Sequence, residues 1–322
     1  MATGGTSPGA KTRALRLSLL AIAVALGLLP ALLPREREEA ARGPDEVLSV
    51  PETTEPAPEA EPPEPAPPEV PAPVPEGPEA EDPVPPAPLS PQPEAIARLY
   101  LVVDDVGNRR EDLDPYLSLD IPITFAVLPQ LPFSEESAVR ISTRGQELIL
   151  HLPMEAESGK YPGPGTIYVG DSHRSITETL RANLRSVPGA KGINNHMGSK
   201  ATADRNTMNA ALEFARREGL FFLDSRTTHN TVALEVAREK RVPAAERHVF
   251  LDNVREVEAI REALIQGVAL AREQGYAVLI GHATSPELAT VLREEASALE
   301  DAGIRFFHLS ALLGTPHVGS GD

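Results

Sequence analysis

The chain has 322 residues, a net charge of −17 and no cysteine, which excludes disulfides, thiolate nucleophiles and cysteine-type zinc sites. Residues 1–34 carry a net charge of +3 and residues 35–94 a net charge of −13, so −7 remains on residues 95–322. No cluster of Lys and Arg supplies the basic face of a duplex-binding protein, and we expect no nucleic-acid partner.

Residues 1–34 contain an almost wholly apolar run, Leu17–Leu33, behind three basic side chains. A helix over this run would rise about 25 Å, slightly less than a typical hydrocarbon core. It is either an uncleaved membrane anchor or a cleaved secretory signal, and the absence of an A-x-A site after Leu33 favours the anchor. Because the basic flank stays cytoplasmic, both alternatives predict a periplasmic or cell-envelope protein, tethered to the inner membrane unless the segment is cleaved.

Residues 35–94 are rich in Pro, Glu and Ala, with 18 prolines between residues 51 and 93. Proline lacks a backbone donor and fixes φ, so we predict a disordered linker with extended polyproline segments. At roughly 3.1 Å per residue it could reach about 130 Å. It is either a spacer that holds the next domain away from a membrane or a solvated linker of no required length. A flexible tail is predicted for residues 316–322.

Strand-like apolar runs alternate with helix-like stretches from Ala95 onward. The predicted strands are Leu99–Val103, Ile123–Val127, Glu147–Leu150, Gly192–Asn194, Leu220–Leu223, Val249–Leu251, Ala277–Ile280 and Arg305–Phe307. Repeated β-then-α units predict a parallel sheet with right-handed crossovers. Seven or eight strands in residues 95–315 favour an α/β fold that closes into a barrel, with a doubly wound open sheet as the alternative.

Helix starts are predicted from side chains that can cap a first turn. Ser175 with Glu178 fits a capping box, Asp204 can cap the helix that Gly219 ends, and Ser285 followed by Pro286 is a favourable start. A further helix follows Asn253. No G-x-G-x-x-G or G-x-x-x-x-G-K-[ST] loop is present, so the sequence gives no support to a nucleotide site.

Several strand-like runs end in acid or imidazole side chains. They are LYLVVDD (Leu99–Asp105), ELILHLPME (Glu147–Glu155), GINNHMGS (Gly192–Ser199), AVLIGHA (Ala277–Ala283) and FFLDSRT (Phe221–Thr227). Because the carboxyl ends of parallel strands meet at one edge, where loops build sites, these segments predict one composite site. Its residue types suit a hard or borderline divalent cation.

The adjacent carboxylates Asp104 and Asp105 should point in different directions, because side chains alternate along a strand. One could then bind a metal while the other takes a proton, unless the pair only forms a turn. His151 and Glu155 could bind one ion if the chain turns between them, although Pro153 argues against a helix there.

The later segments supply further candidates. The Asn194–Asn195 pair could orient the imidazole of His196 or bind a polar substrate. Asp224 and Ser225 begin a polar loop suited to sugar hydroxyls or to positioning another catalytic group. The imidazole of His282 is a candidate general acid because it titrates near neutrality. A serine nucleophile is a weaker alternative, since the sequence has no G-x-S-x-G elbow.

The segments LVVDDVG, ITFAVLP, LILHLPME, INNHMGS, FFLDSRT and VLIGHA together resemble the divergent polysaccharide deacetylase family, within the NodB-like deacetylase superfamily. The resemblance covers about Leu99–Leu313 in one colinear series. It implies a distorted parallel (β/α) barrel of about seven strands, with a divalent ion, commonly zinc, at its mouth. By that match Asp104 is the base and Asp105 a metal ligand.

The resemblance also implies a His-x3-His motif that supplies two ligands. His151 fits its first position, whereas Glu155 stands where the second histidine is expected, and His196 is a substitute ligand from the next strand. His282 fits the late histidine that protonates the leaving amine, and Asp224 lies near the region that supports the catalytic residues. A carboxylate in place of the second histidine would lower the Lewis acidity of the ion.

Two functions are compatible with these observations. The first is a metal-dependent hydrolase that removes N-acetyl groups from an envelope polysaccharide such as peptidoglycan. The second is a non-catalytic binding or scaffold protein that retains the deacetylase fold and contacts an envelope protein partner.

Overall fold

The structure is a computed structural model that describes residues 96–314. The predicted anchor (1–34), linker (35–94) and tail (316–322) lie outside the described residues. Within residues 96–314, no helix has both the length and the apolar character needed to cross a membrane.

Nine strands and eight α-helices make up the described part of the chain. The strands are β1 (Ala97–Val106), β2 (Thr124–Val127), β3 (Glu147–Met154), β4 (Gly192–Met197), β5 (Phe221–Asp224), β6 (Ala244–Glu246), β7 (Val249–Phe250), β8 (Tyr276–His282) and β9 (Ile304–Phe307). The helices are α1 (Asp114–Leu117), α2 (Ser134–Thr143), α3 (His173–Ser186), α4 (Arg205–Arg217), α5 (Ala233–Lys240), α6 (Val257–Gln274), α7 (Pro286–Asp301) and α8 (Ser310–Leu313). A 3-10 turn, Arg110–Asp112, precedes α1.

All strand pairs are parallel, in the order β6-β5-β4-β3-β2-β1-β8-β7. The ninth strand, β9, pairs with the first half of β1. This confirms the predicted distorted parallel barrel. Among the described residues β6 and β7 are not paired with each other, so the barrel is open between them. The short strand β6 is an addition that sequence patterning did not predict.

The core has two layers because strand side chains alternate between faces. One layer fills the barrel interior, with Tyr100 and Val102 from β1, Ile149 from β3 and Val278 and Ile280 from β8. The other packs the outward faces of the strands against the helices. The next inward positions along these strands are polar, and they lie at the carboxyl end of the barrel.

The amino end of the barrel is closed by the C-terminal segment. Leu309, Leu312 and Leu313 pack into the interior layer. The buried carboxylate of Glu147 accepts hydrogen bonds from the backbone N–H of Ser310, at 3.0 Å, and from the hydroxyl of Thr124, at 3.0 Å. The carboxyl end is therefore the open mouth of the barrel.

Two of the three predicted helix caps are confirmed. Asp204 accepts from the N–H of Thr207 at the start of α4, and Ser285 accepts from the N–H of Leu288 at the start of α7. The capping box at Ser175 is wrong, because α3 begins earlier and its cap is Ser172, which accepts from the N–H of Ser175.

Candidate metal centre and proton-transfer pair

The two adjacent carboxylates at the end of β1 both face the same imidazole. Oδ2 of Asp104 lies 3.7 Å and Oδ1 of Asp105 lies 3.2 Å from Nε2 of His151. The expectation that these carboxylates diverge is wrong. Asp105 has a left-handed backbone with φ of 64°, and the β1–β2 register shifts between Val103 and Val106. This bulge re-aims Asp105 toward the mouth, as bulges beside functional sites do.

Three potential ligand atoms form a nearly equilateral triangle. Oδ1 of Asp105 lies 3.1 Å from Nδ1 of His196 and 3.2 Å from Nε2 of His151, and the two nitrogens are 3.1 Å apart. Tetrahedral zinc ligands at 2.0–2.1 Å stand roughly 3.3 Å apart, close to these separations. These residues could therefore hold a divalent ion.

The electrostatics of the triangle also fit a cation. Oδ1 of Asp105 is buried without a hydrogen-bond donor, which is costly unless a positive charge lies beside it. Burial alone would raise the pKa of Asp105, but the two imidazoles outweigh it and hold that pKa well below its usual range. Burial alone would lower the pKa of His151, yet the carboxylates of Asp104 and Asp105 raise it. A bound divalent ion would satisfy the same carboxylate.

Glu155 does not join this triangle, contrary to its proposed role as a ligand. Its Oε1 accepts from the Lys200 ammonium at 2.7 Å, and its Oε2 accepts from the N–H of Val169 at 2.8 Å. The physical reason is that β3 stays extended through Met154. His196 of the neighbouring strand, whose backbone is in register with Pro153, takes the third position instead.

Asn194 contacts both His151 of the triangle and the neighbouring Asp104. Its Oδ1 lies 2.8 Å from Nδ1 of His151, and its Nδ2 donates to Oδ1 of Asp104 at 2.9 Å. Burial raises the pKa of Asp104, with the charges of His151 and His282 opposing. Ser225 lies at the edge of this network, with its hydroxyl 3.3 Å from Nδ2 of Asn194.

Asn195 and Asp224 shape loops and do not reach the triangle. Oδ1 of Asn195 accepts from the N–H of Ser225 at 2.8 Å. The Asp224 carboxylate accepts from the N–H of Arg226 at 2.8 Å and from the hydroxyl of Thr231 at 2.7 Å. Both residues therefore act in support of the polar loop after β5.

His282 forms a second acid–imidazole pair with a residue that sequence reasoning missed. Its Nδ1 lies 2.8 Å from Oδ1 of Asp252, and its backbone N–H donates to Oδ2 of Asp252 at 2.8 Å. Burial alone would lower the pKa of His282, but Asp252 and the carboxylates of Asp104 and Asp105 raise it to about 9. The run Val-Phe-Leu-Asp (Val249–Asp252) has the same pattern of an acid after a strand as the segment that ends in Asp104 and Asp105.

A cavity of about 210 Å³ opens beside the triangle. Asp105, His196 and Asn108 form its polar side, and the rest of its wall is apolar and rich in proline. The remaining lining residues are Leu128, Pro129, Leu131, Pro153, Pro162, Gly163 and Pro164. A small polar group with an apolar substituent could therefore reach the potential ligand atoms from this side.

The fold and site together define a parallel (β/α) barrel with an Asp-His-His cluster at its mouth. The family model for divergent polysaccharide deacetylases matches residues 101–313, and the chain belongs to that family. The uncharacterized protein YibQ of Escherichia coli (strain K12) is 34% identical over 226 residues, which cover 70% of this chain and 70% of that protein.

Two further proteins are similar to this chain. An uncharacterized protein of Haemophilus influenzae (strain ATCC 51907 / DSM 11121 / KW20 / Rd) is 31% identical over 188 residues, which cover 58% of this chain and 67% of that protein. Among solved structures, the uncharacterized protein ATU2773 from Agrobacterium tumefaciens C58 has the same fold, with a TM-score of 0.64 and 21% identity over 70% of this chain and 92% of that one.

Proposed function

We propose that this protein is a metal-dependent hydrolase that removes N-acetyl groups from an envelope polysaccharide such as peptidoglycan. The main support for this proposal is the triangle of Asp105, His151 and His196. The carboxylate of Asp104 lies beside it, 3.7 Å from Nε2 of His151. The family description supports a polysaccharide substrate. Zinc is the proposed ion, because two imidazoles and one carboxylate are a ligand set that catalytic zinc sites use.

A divalent ion bound to this triangle would polarise the amide carbonyl and lower the pKa of a water molecule. The chain's own residues handle the protons. Oδ2 of Asp104 accepts a proton as the water oxygen bonds to the carbonyl carbon. Nε2 of the protonated His282 donates a proton to the amide nitrogen as the C–N bond breaks, which releases acetate and the free amine. Asp252 keeps His282 protonated and oriented through Nδ1.

The proposed location follows from the sequence of the N-terminal region. A basic flank, an apolar run and a proline-rich acidic linker support export and a tether to the inner membrane. A barrel presented in this way would meet glycan in the periplasm. Fractionation of cells that express the full chain tests this, and recovery of the protein in the cytoplasmic fraction would contradict it.

Acetate release from N-acetylglucosamine oligomers and from purified peptidoglycan tests the proposed activity. The full chain is stripped with a chelator and then supplied with Zn²⁺, Co²⁺ or Mn²⁺. We expect release only with metal, and almost none from Asp104→Asn. Metal binding without acetate release from either substrate would contradict the enzyme and favour the non-catalytic alternative.

A further inference from the structure

Two buried asparagines follow each other on β4 but have different surroundings. Asn194 and Asn195 are 0% and 1% exposed. Because strand side chains alternate, Asn194 shares its face with Gly192 and His196, whereas Asn195 points to the other face. A Cβ at Gly192 would lie 2.3 Å from the Phe221 ring, which fills the barrel interior. Asn194 therefore points into the barrel mouth.

The amide of Asn194 has its orientation fixed by its two partners. Asp104 as a carboxylate only accepts hydrogen bonds, so the NH₂ end of Asn194 must face it, at 2.9 Å. The carbonyl end then faces Nδ1 of His151, at 2.8 Å. A carbonyl only accepts, so Nδ1 of His151 carries the hydrogen in this contact. The neutral ring then has its lone pair on Nε2, the atom that faces Asp105 and His196.

The same amide also makes the two oxygens of Asp104 inequivalent. Oδ1 is bound by the NH₂ group of Asn194, whereas Oδ2 is the oxygen that lies 3.7 Å from Nε2 of His151. The oxygen left available to accept a proton therefore faces the potential ligand atoms.

We propose that Asn194 is a positioning residue that sets two functions at once: it presents Nε2 of His151 to a metal ion and leaves Oδ2 of Asp104 as the proton acceptor. The second half rests on the proposed function, and the first half depends only on metal binding. Residues that hold the far nitrogen of a ligand histidine typically change metal affinity by 10–100-fold when they are removed.

Asn195 provides a matched control on the adjacent position. Its amide is equally buried, but it accepts from the N–H of Ser225 and donates to the carbonyl of Met197, at 2.8 and 2.9 Å. It touches neither His151 nor Asp104 through a hydrogen bond that the structure shows. Removal of either amide leaves buried polar partners without their bonds, so both changes should lower the unfolding temperature.

The experiment compares Asn194→Ala, Asn194→Asp and Asn195→Ala in the full chain. Zn²⁺ affinity is measured by competition with a chromophoric chelator, and the ligand field is read from the visible spectrum of the Co²⁺ form. We expect Asn194→Ala to bind Zn²⁺ about 10–100-fold more weakly and to show an altered Co²⁺ spectrum. Asn195→Ala should match the wild type in both measurements despite its lower unfolding temperature.

Asn194→Asp separates the two functions, because its carboxylate still accepts from Nδ1 of His151 but replaces the NH₂ group with an acid, so that it shares a proton with Asp104 and hinders Asp104 as a proton acceptor. We expect Zn²⁺ affinity closer to the wild type than in Asn194→Ala, and a lower kcat for acetate release with KM unchanged. If this variant does not fold, the comparison of the two alanine variants decides the inference.

Equal Zn²⁺ affinities in Asn194→Ala and the wild type would overturn the proposal, as would an equal loss in Asn195→Ala. Absence of Zn²⁺ binding by the wild type would overturn it as well. Metal binding that depends on Asn194, in a wild type that releases no acetate, would instead support the metal-positioning role and contradict the hydrolase.

Discussion

The barrel mouth contains two acid–imidazole groups made from the same residue types, and they differ in geometry. Asp252 and His282 form an ordinary hydrogen-bonded pair at 2.8 Å, and the second oxygen of Asp252 is bound by a backbone N–H. Asp105 instead directs an oxygen without a donor toward the nitrogens of two histidines, at 3.1 and 3.2 Å. A paired imidazole can hold and donate a proton, whereas three convergent electron-rich atoms could hold a cation.

The largest effect is expected from His151→Ala, which removes one corner of the triangle. The loss of several kcal/mol of transition-state stabilisation by the ion corresponds to about 10³-fold in rate. Acetate release and Zn²⁺ content, measured by elemental analysis, should fall together. His173→Ala, at the exposed start of α3, is the control. Full Zn²⁺ content in His151→Ala would show that the triangle is not the metal centre.

The next largest effect is expected from His282→Gln, which removes the proton donor but leaves the triangle intact. General acid catalysis contributes typically 10²–10⁴-fold, so acetate release should fall by about that factor. Zn²⁺ affinity should stay at the wild-type value. Loss of Zn²⁺ from His282→Gln would mean that the triangle and the Asp252–His282 pair act as one site. That result would contradict the distinction between them.

A smaller, pH-dependent effect is expected from Asp252→Asn. The pKa of His282 is raised to about 9, so the protonated form persists until the pH rises through that value. Without the Asp252 charge the pKa should return toward its ordinary value of about 6.5. At pH 8 the protonated fraction, and with it kcat/KM, would fall about 30-fold.

The pH profile of kcat/KM checks this prediction. The descending limb should move to lower pH in Asp252→Asn, while the rates at pH 6 should differ much less. Profiles that coincide for the variant and the wild type would exclude His282 as the acid whose protonation state limits the rate.

The smallest effect is expected from Glu155→Gln, which tests the boundary of the metal centre. Zn²⁺ affinity should be unchanged, since the carboxylate binds Lys200 and Val169 and not the triangle. Loss of the partly exposed ion pair should lower the free energy of unfolding by less than about 1 kcal/mol in urea titrations. Weaker Zn²⁺ binding by Glu155→Gln than by the wild type would indicate that Glu155 is a metal ligand.

Much of this centre was predictable because strand ends are visible in the sequence. Apolar runs followed by Asp or His placed Asp104, Asp105, His151, His196 and His282 at one edge, and the structure brings the first four into one group. Asp252 also follows an apolar run, but that pattern alone does not indicate its partner. Its role depends on a contact with His282 at the end of β8, which lies 30 residues further along the chain.

The two errors in the site have local physical causes. The spacing His-x3-Glu predicts convergence only if the chain turns, but β3 remains extended, and four extended residues span about 13 Å. The divergence of Asp104 and Asp105 follows from strict alternation, which the left-handed conformation of Asp105 breaks. Neither the length of a strand nor a bulge can be read from residue types alone.

The sequence by itself determined the parallel α/β class and the chemical types at the mouth, because apolar periodicity and acids after strands are local properties of the chain, and its resemblance to divergent polysaccharide deacetylases implied the barrel and the family. Only the tertiary structure decided which of those groups meet. The choice of His196 over Glu155, the pairing of Asp252 with His282 and the two-sided contact of Asn194 depend on strand register and on one backbone bulge, and distances between strands exist only once the barrel has formed.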